Sequence, residues 1–134
     1  MTRYVDHEAL ISLLNSVADD DRRGHFVHDF ISMWETRSQR LMKALGDHDF
    51  EDADVVLLSI RSSSTMLGAW PLEAIAGMIH AAVKGFDLQG SLRHLARLNE
   101  VGGATCRELL AVLDSMRAGP QPGSPQSLSE AASR

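Results

Sequence analysis

Leu57-Leu58-Ser59-Ile60-Arg61-Ser62-Ser63-Ser64-Thr65-Met66-Leu67-Gly68-Ala69 is the stretch that decides how this chain folds. Leu57, Ile60, Ser64 and Leu67 recur at steps of three and four, which puts them on one side of an α-helix. Leu58 points elsewhere, because successive helical residues are turned by about 100°. Phe50 and Ala53 extend the same buried seam backwards, so a helix is predicted from about Asp49 to Leu67. Gly68 is suited to end it, and Pro71 to open the next helix in a first turn that needs no N–H from it.

Outward from this segment the helical rhythm continues. A first helix is expected over about residues 6–17, capped by Asp6 and apolar at Leu10, Leu13, Leu14 and Val17. Asp19-Asp20-Asp21 offers caps for a long second helix, with Val27, Phe30, Ile31, Trp34, Leu41 and Leu45 along its inner side and Gly46 at its end. A fourth helix buries Leu72, Ile75, Ala76, Ile79 and Val83 before Gly85. A fifth begins near Leu88 and carries Leu92, Leu95, Asn99, Gly102, Cys106, Leu109, Leu113 and Met116 as a coiled-coil-like seam. Within it, Gly102-Gly103 is expected to kink or split the helix, or to let a neighbour come close. Strict period-two alternation is missing, so strands are not expected. Short connections make sequential helices antiparallel neighbours. The fold class read from this pattern is all-α: an antiparallel up-down four-helix bundle with a short N-terminal helix across one end. Its domain spans residues 1–118, and the proline-, serine- and glycine-rich 119–134 reads as a flexible tail that cannot offset the entropy of ordering.

Composition narrows the function classes. The 134 residues are 44% hydrophobic and 23% charged, ordinary for one globular domain. A formal charge of −5 argues against nucleic acid as a partner. No run approaches the roughly 18 apolar residues of a membrane span, and the acidic N-terminus lacks the apolar block of a secretion signal. The single cysteine, Cys106, cannot form an internal disulfide and suits the cytoplasm.

The serine-rich helix resembles the signature of the histidine-containing phosphotransfer (HPt) family, which runs Ala-His-x-Leu-Lys-(Gly/Ser)-Ser-x-x-x-Leu-Gly-Ala. Ile60, Arg61, Ser62, Ser63, Leu67, Gly68 and Ala69 follow that pattern, and the likeness in helix spacing covers about residues 5–115. Leu58 stands where the family keeps its phosphoryl-accepting histidine. Ile79-His80 replaces the Leu-Glu pair of many relatives, a second departure. The resemblance implies a two-component phosphorelay protein whose relay chemistry is lost, since a leucine has no lone pair to attack an aspartyl phosphate. No catalytic residue, enzymatic activity or cofactor is then expected. The implied partners are a response-regulator receiver domain, a histidine kinase, or both.

Val55 and Met66 fall on roughly the same side as Leu58, beside Arg61 and Ser62, so Val55, Leu58, Arg61, Ser62 and Met66 form the candidate partner-binding surface. The competing reading packs Val55 and Leu58 under the N-terminal helix, or has them left exposed by neutral drift, and leaves Arg61 a solvated charge. Six histidines remain: His7, His25, His28, His48, His80 and His94. Each reads as a surface or helix-end residue; phosphorylation of one of them is the alternative function. A bundle that dimerises through the apolar strip is another, although a monomer is expected. His25-x-x-His28 has spacing that can begin a metal site, but no supporting cluster accompanies it, so no metal is expected. Trp34 and Trp70 read as core or end-cap aromatics, and Cys106 as a small buried apolar residue.

Overall fold

A computed structural model describes residues 3–16 and 20–118, with the side chains of 20–23, 117 and 118 left aside. Most of the described residues are helical, and among them there is no strand. Six helices follow one another: α1 (His7–Asn15), α2 (Asp20–Gly46), α3 (Phe50–Leu67), α4 (Trp70–Lys84), α5 (Leu88–Arg93) and α6 (Leu95–Ala118). Val17, the side chains of Asp19-Asp20-Asp21 and the 119–134 segment lie outside the described part.

Three of the helices start on aspartate caps. Asp6 caps α1 by accepting the Ala9 N–H at 3.1 Å, Asp49 caps α3 through the Asp52 N–H at 3.0 Å, and Asp87 caps α5 through the Gly90 N–H at 2.9 Å. Helix α3 ends at Gly68, whose φ of 74° is left-handed. There the Ala69 N–H reaches the Ser64 carbonyl at 2.8 Å, which closes the last turn before α4. A side chain at Gly68 would also press on Ala9 and Asp6 of the N-terminal segment. Between α2 and α3 the left-handed residue is His48, with φ 57°, and not Gly46.

Helix α3 packs on both α2 and α4, and α6 packs on the same two, so α2, α3, α4 and α6 touch in a closed cycle. Their shared core contains Val27, Phe30, Leu41, Leu57, Ile60, Ile79, Leu98 and Leu109. The predicted seam of α3 is buried at Ala53, Leu57, Ile60, Ser64 and Leu67, while Phe50 is only partly covered. Helix α1 seats Leu10 and Leu14 in the core.

The predicted single fifth helix is corrected. It divides at His94, where the backbone turns out of helical geometry and the His94 carbonyl accepts the Leu98 N–H that starts α6. Leu92 is therefore exposed and is not a seam residue. No break occurs at Gly102-Gly103, which lies inside α6. Gly102 serves close approach: a Cβ there would fall within the indole of Trp34, which lies against the α6 backbone.

Candidate functional site

The outward face of α3 carries Val55, Leu58, Ser62 and Met66 one turn after another. Val55 is 52% exposed, Leu58 55% and Met66 49%, far from the coverage expected of core side chains. Neither Val55 nor Leu58 packs under α1, whose neighbourhood is the other end of α3 at Gly68. Their inner counterparts Val56, Leu57 and Ile60 are 1% exposed or less, so the helix is sharply two-sided.

Across from this face runs α2. A groove of about 370 Å³ lies between the two helices, lined by Arg37, Arg40, Val55, Leu58, Ser59 and Ser62 among others. A second groove of about 610 Å³ continues towards the start of α2, with Phe26, Met33 and Arg37 facing Ser63 and Met66. Arg37 and Ser63 belong to both. Arg40 forms a forked pair with Asp52. Arg37 donates to Ser63 Oγ at 3.0 Å and approaches Met33 Sδ at 3.9 Å. Partial burial lowers the Arg37 pKa from its ordinary value.

Arg61 is placed differently from the rest of the sequence-derived surface. Its Nε donates to Glu73 at 3.0 Å and its Nη1 meets His80 Nδ1 at 3.1 Å, which commits the guanidinium to α4. Gly77 lies beneath the guanidinium, where a Cβ would meet it at 3.6 Å, an ordinary van der Waals contact. His80 in turn holds Asp54 Oδ1 through Nε2 at 2.6 Å, and Lys84 lies 3.5 Å from the same oxygen. Because Arg61 is a donor only, Nδ1 must accept, which assigns the His80 proton to Nε2. The His80 hydrogen bond, with help from Lys84, holds the Asp54 pKa below the usual carboxylate range despite some desolvation.

His80 is thus a correction to the surface reading of the histidines. It is 3% exposed and bridges α3 to α4. Burial was concealed because its two polar partners, Asp54 and Arg61, lie on another helix and give the imidazole what water otherwise supplies. His25, His28 and His48 are exposed, His94 sits at the α5–α6 break, and His7 pairs with Glu108 at 2.8 Å. Among the described residues no three His, Cys, Asp or Glu side chains cluster to hold a metal ion. Trp34 is buried, whereas Trp70 is half-exposed and donates its indole N–H to Asp6 at 3.2 Å. Cys106 is buried, and desolvation raises its thiol pKa to about 11.

Sequence reasoning missed Met33, Arg37 and Arg40. Their spacing of four and three puts them on one face of α2, but nothing local distinguishes that face from any solvated helix surface. None of the described helices is long and apolar enough to cross a membrane. Compared with protein-family models, curated proteins and solved structures, the chain matches none. The HPt likeness accordingly rests on the 57–69 helix and the spacing of the helices around it.

Proposed function

We propose that this protein is an HPt-like docking protein of two-component signalling that binds a response-regulator receiver domain or a histidine kinase without carrying phosphate. Its four long helices form an antiparallel up-down bundle of the kind that the HPt resemblance implies, with α1 across one end, and it works in the cytoplasm. The observation that carries this reading is the outward Leu58, half-exposed between Val55 and Met66 at the position of the family's histidine. An aliphatic side chain at that place can be buried by a partner yet cannot accept a phosphoryl group. Ser62, one turn further along, is small and exposed, so a partner can approach the helix closely. Arg61 contributes through its hold on α4 and not as a free charge.

Two measurements test this. Incubation with phosphorylated receiver domains should leave no acid-labile phosphate on the native chain, whereas Leu58→His should acquire it. Phosphate on the native chain would instead favour relay through another histidine. In a titration of receiver domains, Leu58→Glu should weaken the best binder by roughly tenfold or more, the loss expected when an apolar contact of about 1.5–3 kcal/mol is removed. A panel of receivers and kinases that bind neither form sinks the proposal.

A further inference from the structure

We infer that the trough between α2 and α3 receives an acidic segment of a protein partner, with one carboxylate pairing with Arg37 and flanking apolar side chains packing on Met33, Leu58 and Met66. The choice of a protein occupant rests on the docking reading above; the choice of charge does not. Among the described side chains of α2, α3 and α4, every other lysine and arginine already has a carboxylate: Arg40 has Asp52, Lys43 has Asp47, Arg61 has Glu73 and Lys84 has Asp54. Arg37 has none. Its neighbours are a hydroxyl and a thioether, which orient the guanidinium but leave its charge uncompensated. Asp29 lines the larger groove too, but it lies eight residues back, about 12 Å along the helix, and makes no pair with Arg37.

Location strengthens the argument. Arg37 is the residue at which the two grooves meet, so a carboxylate held there has apolar walls on both sides: Met33 and Met66 one way, Leu58 and Val55 the other. From Phe26 to Arg40 the trough follows α2 for about 21 Å, the length of about six extended residues. That is a peptide's dimension and exceeds what a single small anion occupies. Because the whole chain is negative, an acidic partner gains nothing from long-range steering. The Arg37 pair should therefore act on how slowly the complex dissociates.

The test uses the full chain, labelled with ¹⁵N, and two synthetic heptapeptides of leucine and alanine that differ only in a central glutamate or glutamine. The glutamate peptide should bind about tenfold tighter, as a charge-assisted contact does, and shift the amides around Met33, Arg37 and Ser63. In Arg37→Gln, checked for an unchanged helical spectrum, the preference should fall within about twofold, while Arg37→Lys should retain part of it. No binding, equal binding of the two peptides, or a preference that survives Arg37→Gln would overturn the inference. So would decanoate binding as tightly as the glutamate peptide, which assigns the trough to a small amphiphile. Self-association that Arg37→Gln abolishes would assign it to a second copy and equally overturn it. Peptide selectivity without any receiver or kinase binding removes only the signalling role, and the converse removes only the Arg37 contact.

Discussion

Gly102 shows how one residue can set the distance between two helices. The Trp34 indole occupies the volume that any side chain at 102 would need, so α2 and α6 approach over a backbone with no Cβ. Gly102→Ala should cost about 1–3 kcal/mol through overpacking, read as a lower urea midpoint with an unchanged slope. The penalty should shrink when Trp34→Phe is added, because the two residues share one space and their effects are not additive. Leu58 is the opposite case. Its substitution to histidine or glutamate leaves the core untouched, so the outcomes expected of those variants are changes of binding and chemistry with a nearly constant melting temperature. Glycine at 102 was visible in the sequence, but its partner was not, since residues 34 and 102 are brought together only by folding.

At the scale of the element, α3 does two jobs with its two polar edges. One edge, through Arg61 and Asp54, is tied to α4 by His80; the other, through Ser63 and Asp52, is tied to α2 by Arg37 and Arg40. These ties leave Leu58 outward on the face beside α2. His80→Leu keeps most of the volume but removes both hydrogen bonds. Arg61 and Asp54 are partly solvated and can return to water, so the expected loss is about 1–2 kcal/mol in denaturant unfolding. The proposed receiver binding at Leu58 should be affected far less than by Leu58→Glu. The helices themselves were legible from apolar spacing, aspartate caps and Gly68. The division between α5 and α6 was not: His94 carries no breaker signal, while Gly102-Gly103, which does, lies inside α6 with Trp34 packed against Gly102. Weak local preferences yield to packing of that size.

At the scale of the whole molecule, the N-terminal segment is fastened to the last helix by one carboxylate. Glu108 accepts the N–H groups of Tyr4 and Val5 at 2.9 and 3.1 Å and contacts His7, while the Asp6 N–H donates to the Gly68 carbonyl at 2.7 Å. Burial raises the Glu108 pKa, but these hydrogen bonds outweigh it and hold the group below the usual glutamate value of 4.5. A carboxyl depressed in the folded state contributes stability above its unfolded value and loses it as pH falls through the lower folded one. Below about pH 4.5 the segment should loosen, seen as faster amide exchange at Tyr4 and Val5 before the core melts. Glu108→Gln should lower stability at neutral pH and flatten its fall towards acid. An acid profile identical to the native one would show that Glu108 plays no such part.

By itself the sequence determined which residues become helical, where most helices begin and end, and which face of α3 turns outward, because these follow from steps of three and four and from caps a few residues away. It also announced an aliphatic residue where the resemblance expects an imidazole. Only the tertiary structure decided that Arg61 turns to α4, that His80 is buried between two polar partners, and that Arg37 faces α3 without a counter-ion. Those outcomes depend on distances between side chains on different helices, and a one-dimensional pattern carries no such distances.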